Sequence, residues 1–93
     1  MIRSFRGKET EKIWREQHSR KLPGPIQQKA LHKLQMINAA RVLSDLLAPP
    51  GNRLEALKGG RKGQHSIRIN DQYRICFVWL GSDAHHVEIV DYH

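Results

Sequence analysis

At Pro49-Pro50-Gly51-Asn52 the apolar spacing of this chain changes from steps of three and four to alternation. Helices collected before such a break and strands after it make an α+β fold. On the helical side, Ile26, Ala30, Leu34 and Ile37 form a stripe that Leu31, Leu43, Leu46 and Leu47 widen. Pro25 suits the first turn of that helix, and the Pro-Pro-Gly run closes it. Lys29, Lys33 and Arg41 fall off the main stripe, where they either touch phosphate or are simply solvated. A first helix is expected over 10–18, with Ile13 and the core anchor Trp14 on its apolar face. It is broken by Pro23-Gly24-Pro25. Ile2 and Phe5 mark a short N-terminal edge strand.

After the break, Leu54 and Leu57 anchor a turn or short strand ahead of the Gly59-Gly60-Arg61-Lys62-Gly63 loop. The segment 64–69 presents Ile67 and Ile69 on one face, and 73–79 presents Tyr73, Ile75, Phe77 and Trp79. Asn70-Asp71-Gln72 turns between them. The two apolar faces coincide only if the numbers of paired residues sum to an even value. That places Ile69 against Tyr73 and Ile67 against Ile75, and it sets Arg68 opposite Arg74 on the other face. Like charges directly opposed across strands cost roughly 0.2–1 kcal/mol unless something anionic lies between them. Two opposed arginines therefore suggest a phosphate site. A last strand runs through Val87-Glu88-Ile89-Val90.

Charge points the same way. The chain has 16 Lys and Arg against nine Asp and Glu, a formal net charge of +7, and no cation follows Arg74. A domain this basic meets a polyanion, nucleic acid before anionic membrane, unless the cations are only a solvated surface. With 93 residues there is length for one domain, spanning 1–93, with one modest core. The single cysteine, Cys76, sits in an apolar strand and packs as a small hydrophobe, which suits a reducing compartment. The N-terminus lacks the apolar stretch of a signal peptide, and the longest apolar run, Ile75 to Leu80, is far below the ~20 residues of a spanning helix. A soluble cytoplasmic protein is expected, with no membrane partner.

No His-Glu-x-x-His or Cys-x-x-Cys arrangement offers a metal site, and no nucleotide or nucleophile-elbow fingerprint is present. His85 and His86 are neighbours, so in a strand they face opposite ways. What remains is acid–base chemistry on a cationic surface. The chain closes on Asp91-Tyr92-His93, either a solvated tail or an acid, a phenol and an imidazole held by the strand before them. The α-carboxylate beside His93 favours its imidazolium form. RNA brings its own nucleophile, the 2′-hydroxyl, so cutting it needs a base, an acid and cations for the crowded phosphorane. Glu55 is the carboxylate embedded in the basic stretch 53–74 apart from turn residue Asp71. It is either the base or a surface partner of Arg53 or Lys58.

Arg53-Leu54-Glu55-Ala56-Leu57-Lys58-Gly59, then Gly63-Gln64-His65-Ser66-Ile67-Arg68-Ile69-Asn70, Tyr73-Arg74-Ile75-Cys76-Phe77 and the terminal Asp91-Tyr92-His93 resemble the RelE/ParE toxin superfamily, and within it the HigB toxins of type II toxin–antitoxin systems. The likeness spans nearly the whole chain. It implies a microbial-ribonuclease-like fold of order β-α-α-β-β-β, its antiparallel sheet packed on two N-terminal helices. It also implies ribosome-dependent, metal-independent cleavage of mRNA, no cofactor, and a cognate helix-turn-helix (HigA-like) antitoxin. By the resemblance, Glu55 matches a general base that several HigB proteins replace with His. Arg74 matches the phosphate-binding arginine and His93 the general acid. Lys58, Arg68, Asp91 and Tyr92 match positions that bind or shape the scissile site. Arg53, Arg61, Lys62, Arg68, Lys29 and Lys33 are the candidate RNA- and ribosome-binding cations. Some relatives carry an aromatic residue after the terminal His. Here base stacking has to come from elsewhere, with Tyr92 and the core-edge His65 as candidates. Two rivals remain: a ParE-like non-catalytic inhibitor of DNA gyrase, which generally lacks the Glu, Arg and His set, and a plain RNA-binding module.

Overall fold

The computed structural model describes residues 1–92. Two helices, α1 (Lys8–Trp14) and α2 (Gly24–Ala39), precede four strands, β1 (Glu55–Ala56), β2 (His65–Arg68), β3 (Tyr73–Leu80) and β4 (Asp83–Asp91). The strands form one antiparallel sheet in the order β1-β2-β3-β4, and the helices cover one of its faces. The N-terminal segment lies beside β4 as two parallel bridges, Ile2 to Ala84 and Phe5 to Val87, where a regular edge strand was expected.

Both helices are shorter than their apolar spacing predicts, and each has a local cause. The amide of Glu16 donates to the Ile13 carbonyl and that of Gln17 to Lys12, with Glu16 in the left-handed region at φ 60°. This is a Schellman cap, and it ends α1 at Trp14 instead of His18. Beyond Ala39 the chain turns extended at Ala40, and the Asp45 carboxylate accepts the Arg41 and Val42 amides. Short acidic side chains compete with helical hydrogen bonding in this way. Those two amides hold the Asp45 carboxyl below the usual range. Leu43–Leu47 is consequently a 3₁₀ turn and not the last turns of α2.

The core lies between the helices and the sheet. Ile26, Ala30, Leu34 and Ile37 of α2 meet Ile67, Ile69, Ile75, Phe77 and Val87. Trp14 packs at its margin against Phe5, ring centroids 6.3 Å apart. Leu34, with no exposed surface, sits centrally. Leu34→Ala is expected to cost roughly 2–5 kcal/mol, the range for cavities that relax only in part. Urea unfolding should show it as a lower midpoint with an unchanged slope.

The paired residues follow the expected parity: Ile67 faces Ile75 and Arg68 faces Arg74. β4 departs from simple alternation. Cys76 pairs with Glu88 but Val78 pairs with His85, so one extra residue is accommodated at His86, whose φ is 53°. This is a β-bulge. It removes the strict alternation expected of His85 and His86, and it leaves His86 exposed and His85 half-buried. No helix among the described residues is long and apolar enough to cross a membrane.

Candidate active site

The sheet face turned away from the helices carries the polar chemistry. Register alone sets a row across all four strands, with Glu55 beside Ser66, Ser66 beside Cys76 and Cys76 beside Glu88. Two pairings further along, on the same face, lie Arg68, Arg74 and Val90. By the alternation of β4, Tyr92 follows Val90 on this face.

Arg74 is the centre of the arrangement. It is only 9% exposed, and burying a guanidinium is tolerable only when its donors are matched. Its Nε donates to Ser66 Oγ at 2.7 Å, and one Nη donates to the Arg53 carbonyl at 2.7 Å. The same nitrogen lies 3.7 Å from Glu55 Oε1, and the guanidinium carbon lies 5.7 Å from the centroid of the Tyr92 ring. Glu55 is half-exposed, so the ion pair opens to solvent on the carboxylate side. The outcome is a fixed cation with an accessible carboxylate and an accessible ring next to it. Such a set can hold a phosphate oxyanion and take a proton from a group placed beside it.

Glu55 therefore pairs with Arg74, and not with the Arg53 or Lys58 that spacing offered as surface partners. Arg68 faces Arg74 as expected, but the two guanidiniums turn to different partners. Arg68 pairs with the exposed Asp71 in the β2–β3 turn. Arg61 is also engaged, donating to Glu88 at 3.2 Å and Gln64 at 3.1 Å. Lys29, Arg53, Lys58 and Lys62 have exposed side chains.

Lys33 corrects the sequence reading. It is 7% exposed, and its Nζ donates to the buried Asn52 side chain, so it is not a surface cation. Burial pushes its ammonium pKa down, with the nearby Lys29 adding to the shift. Its position, three residues after Ala30 and four before Ile37, puts it on the buried stripe of α2.

The strand end is tied to the β2–β3 turn. The Tyr92 amide donates to the Gln72 carbonyl at 2.6 Å, and Gln72 Nε2 donates to Asp91 Oδ2 at 3.1 Å. The chain is thus held through Tyr92, whereas His93, the expected acid, lies outside the described residues. Tyr92 is 41% exposed and suits the stacking role; His65 does not. His65 stacks on the core residue Phe77, and its Nδ1 is buried with no hydrogen-bond partner among the described residues. Cys76 is buried on the site face and its thiol pKa is pushed up, chiefly by that burial, so it is a packing residue and a poor nucleophile. Among the described residues, no three His, Cys, Asp or Glu side chains gather as a metal cluster would.

Sequence reasoning missed three contributors. Ser66 was the polar residue between His65 and Ile67, and only the register shows that it meets Arg74. The Arg53 carbonyl is backbone and leaves no side-chain signal. Asn52 belongs by sequence to the run that stops the helix, yet it is fully buried.

Comparison with known proteins bears on this constellation. Residues 3–93 match the family model described as RelE-like toxin of type II toxin-antitoxin system HigB. Toxin HigB-1 of Vibrio cholerae is 41% identical over 85 residues, covering 90% of each chain. Endoribonuclease HigB of Proteus vulgaris is 30% identical over 97 residues, covering 100% of both. Among solved structures, a chain of the YoeB-YefM complex from Staphylococcus aureus superposes with a TM-score of 0.59 at 18% identity, covering 100% of this chain and 98% of that one, which is a likeness of fold. With a family match across nearly its full length and two HigB relatives of that coverage, the chain belongs to the HigB-like, RelE-type toxins of type II toxin–antitoxin systems.

Proposed function

We propose that this toxin is a ribosome-dependent, metal-independent endoribonuclease that cuts mRNA in the cytoplasm and is restrained by a cognate helix-turn-helix antitoxin. The observation that carries the reading is the buried Arg74 guanidinium, held by Ser66 and the Arg53 carbonyl and set 3.7 Å from the open Glu55 carboxylate. The Proteus vulgaris relative named as an endoribonuclease supports the activity, and the YoeB-YefM neighbour supports an antitoxin partner.

In this mechanism Glu55 takes the proton of the 2′-hydroxyl as its oxygen attacks phosphorus. Arg74, together with Lys58, stabilises the charge that gathers on the phosphorane oxygens. The bond from phosphorus to the 5′-oxygen breaks, and His93 gives that oxygen its proton. The products are a 2′,3′-cyclic phosphate and a 5′-hydroxyl. Tyr92 offers the face on which a base stacks, Asp91 helps hold the strand end, and the exposed Arg53, Lys62 and Lys29 contribute to ribosome affinity. Two carboxylates, an imidazole and few cations make a sparse site, which suits an enzyme whose ribosome holds the substrate ready for attack.

Mapping mRNA 5′ ends after brief expression tests the proposal. Cuts phased to codons are expected; arrested replication with intact mRNA would indicate a gyrase inhibitor instead. His93→Gln should lower the cleavage rate by roughly 10²–10⁴, the range for one proton-transfer group, and abolish growth inhibition. Circular dichroism should show an unchanged fold. Full toxicity of a folded His93→Gln protein would remove His93 from the mechanism.

A further inference from the structure

We propose that Lys33 and Asn52 are positioning residues for Arg74, acting through the backbone carbonyl of Arg53; this rests on the catalytic reading of Arg74. Asn52 has no exposed surface, and every polar atom of its side chain is committed. Its Oδ1 accepts from Lys33 Nζ, and its Nδ2 donates to the carbonyls of Leu46 and Ala48, both at 3.2 Å. Its own amide donates to the Pro49 carbonyl at 2.9 Å. The side chain thereby ties the 3₁₀ turn Leu43–Leu47, the segment after it and helix α2 to one point.

The next residue is Arg53, left-handed at φ 45° and ψ 53°, with its amide bonded to the Pro50 carbonyl at 3.1 Å. A non-glycine residue persists in that region only where its surroundings over-determine it. The fixed Asn52 side chain supplies that constraint on the N-terminal side. The Arg53 carbonyl then meets Arg74 Nη at 2.7 Å, while Ser66 holds Nε. Of the two anchors, Ser66 belongs to the sheet, and the Arg53 carbonyl belongs to a loop with no ladder of its own. The loop anchor is the one that needs a brace. A lysine buried at the core side of α2 has no access to RNA, and holding Asn52 is the contact that accounts for its place.

The test is a double-mutant cycle read by single-turnover cleavage on saturating ribosomes. Lys33→Met keeps the volume and removes the donor, and Asn52→Ala removes the hub. Each should slow cleavage by roughly ten- to a hundred-fold, the scale for a small misplacement of a catalytic group, and leave ribosome affinity unchanged. In an Arg74→Ala background the same changes should alter the rate less than about two-fold, since residues acting as one unit are not additive. The Arg74 Nε–H, followed by ¹H–¹⁵N NMR in the isolated toxin, should exchange faster in Lys33→Met. Should Asn52→Ala not fold, Lys33→Met decides. An unchanged rate in folded Lys33→Met, or equal slowing in both backgrounds, overturns the positioning role. If Arg74→Ala itself cleaves at the parent rate, the catalytic reading of Arg74 falls instead, and the NMR exchange then decides whether the brace exists.

Discussion

Arg74→Ala will slow single-turnover cleavage of ribosome-bound mRNA by roughly 10²–10³, the loss seen when one well-placed donor to a developing oxyanion is removed. Ribosome binding should change far less, because the charge that Arg74 meets grows only in the transition state. Part of the loss will be structural. Truncation leaves the buried Ser66 hydroxyl and the Arg53 carbonyl without their donor, which costs about 1–3 kcal/mol for each group left unsatisfied. Arg74→Lys separates the two effects. It keeps the charge, but a single ammonium cannot span Ser66 and Arg53 in the planar geometry that the guanidinium provides. Unchanged single-turnover rates in Arg74→Ala at saturating enzyme would take the phosphate role away from this residue.

Glu55→Gln should cost roughly 10²–10⁴ in rate, since the amide keeps the shape of the carboxylate but cannot accept the 2′-hydroxyl proton. The fold should be indifferent to the change: Glu55 lies on a two-residue edge strand, its side chain is 51% exposed, and its contact with Arg74 is long at 3.7 Å. An ion pair so open contributes little to stability. Glu55→His should retain part of the activity, because imidazole titrates near neutrality. Messages with a 2′-deoxy or 2′-O-methyl group at the cut site should resist wild type and variants alike. Cutting at the wild-type rate by Glu55→Gln would leave Glu55 as a partner of Arg74 alone, with Asp91 the next carboxylate to test.

The register of β2 and β3 was legible before any coordinates, because a period of two combined with a short turn leaves one parity that buries both apolar faces. The opposition of Arg68 and Arg74 followed from it. Their separate partners did not, since Asp71 looked like an ordinary turn residue. Helix ends were illegible for a related reason. Glu16 takes a left-handed position that glycine usually marks, and Asp45 captures two amides from a segment whose leucines continue the helical spacing. Ile26, Ala30, Leu34 and Ile37 lie on the buried stripe of α2 as their spacing predicts, but Leu47, which the same spacing adds, is exposed beyond the helix, and Lys33, a surface cation by residue type, is inside. The ring of Tyr92 and the carboxylate of Glu55 could be named from the sequence as candidates, but the carbonyl that fixes Arg74 belongs to the backbone and writes nothing into it.

The extra residue at His86 acts as a phase shift along β4. Ahead of it Ala84 faces the helices, and after it Val87 and Ile89 do so, whereas an unbroken alternation from Ala84 would send every even-numbered residue inward. Val90 and Tyr92 would then lie under the helices, and the ring beside Arg74 would be missing from the open face. The turn at Gly81 and the strand end at Tyr92 therefore answer to opposite parities, reconciled by one residue about 20 Å of strand away from the chemistry at the usual ~3.3 Å per residue. Kept at its full length but paired without the bulge, β4 would turn its functional end inside out, so one residue out of step decides which face carries the chemistry.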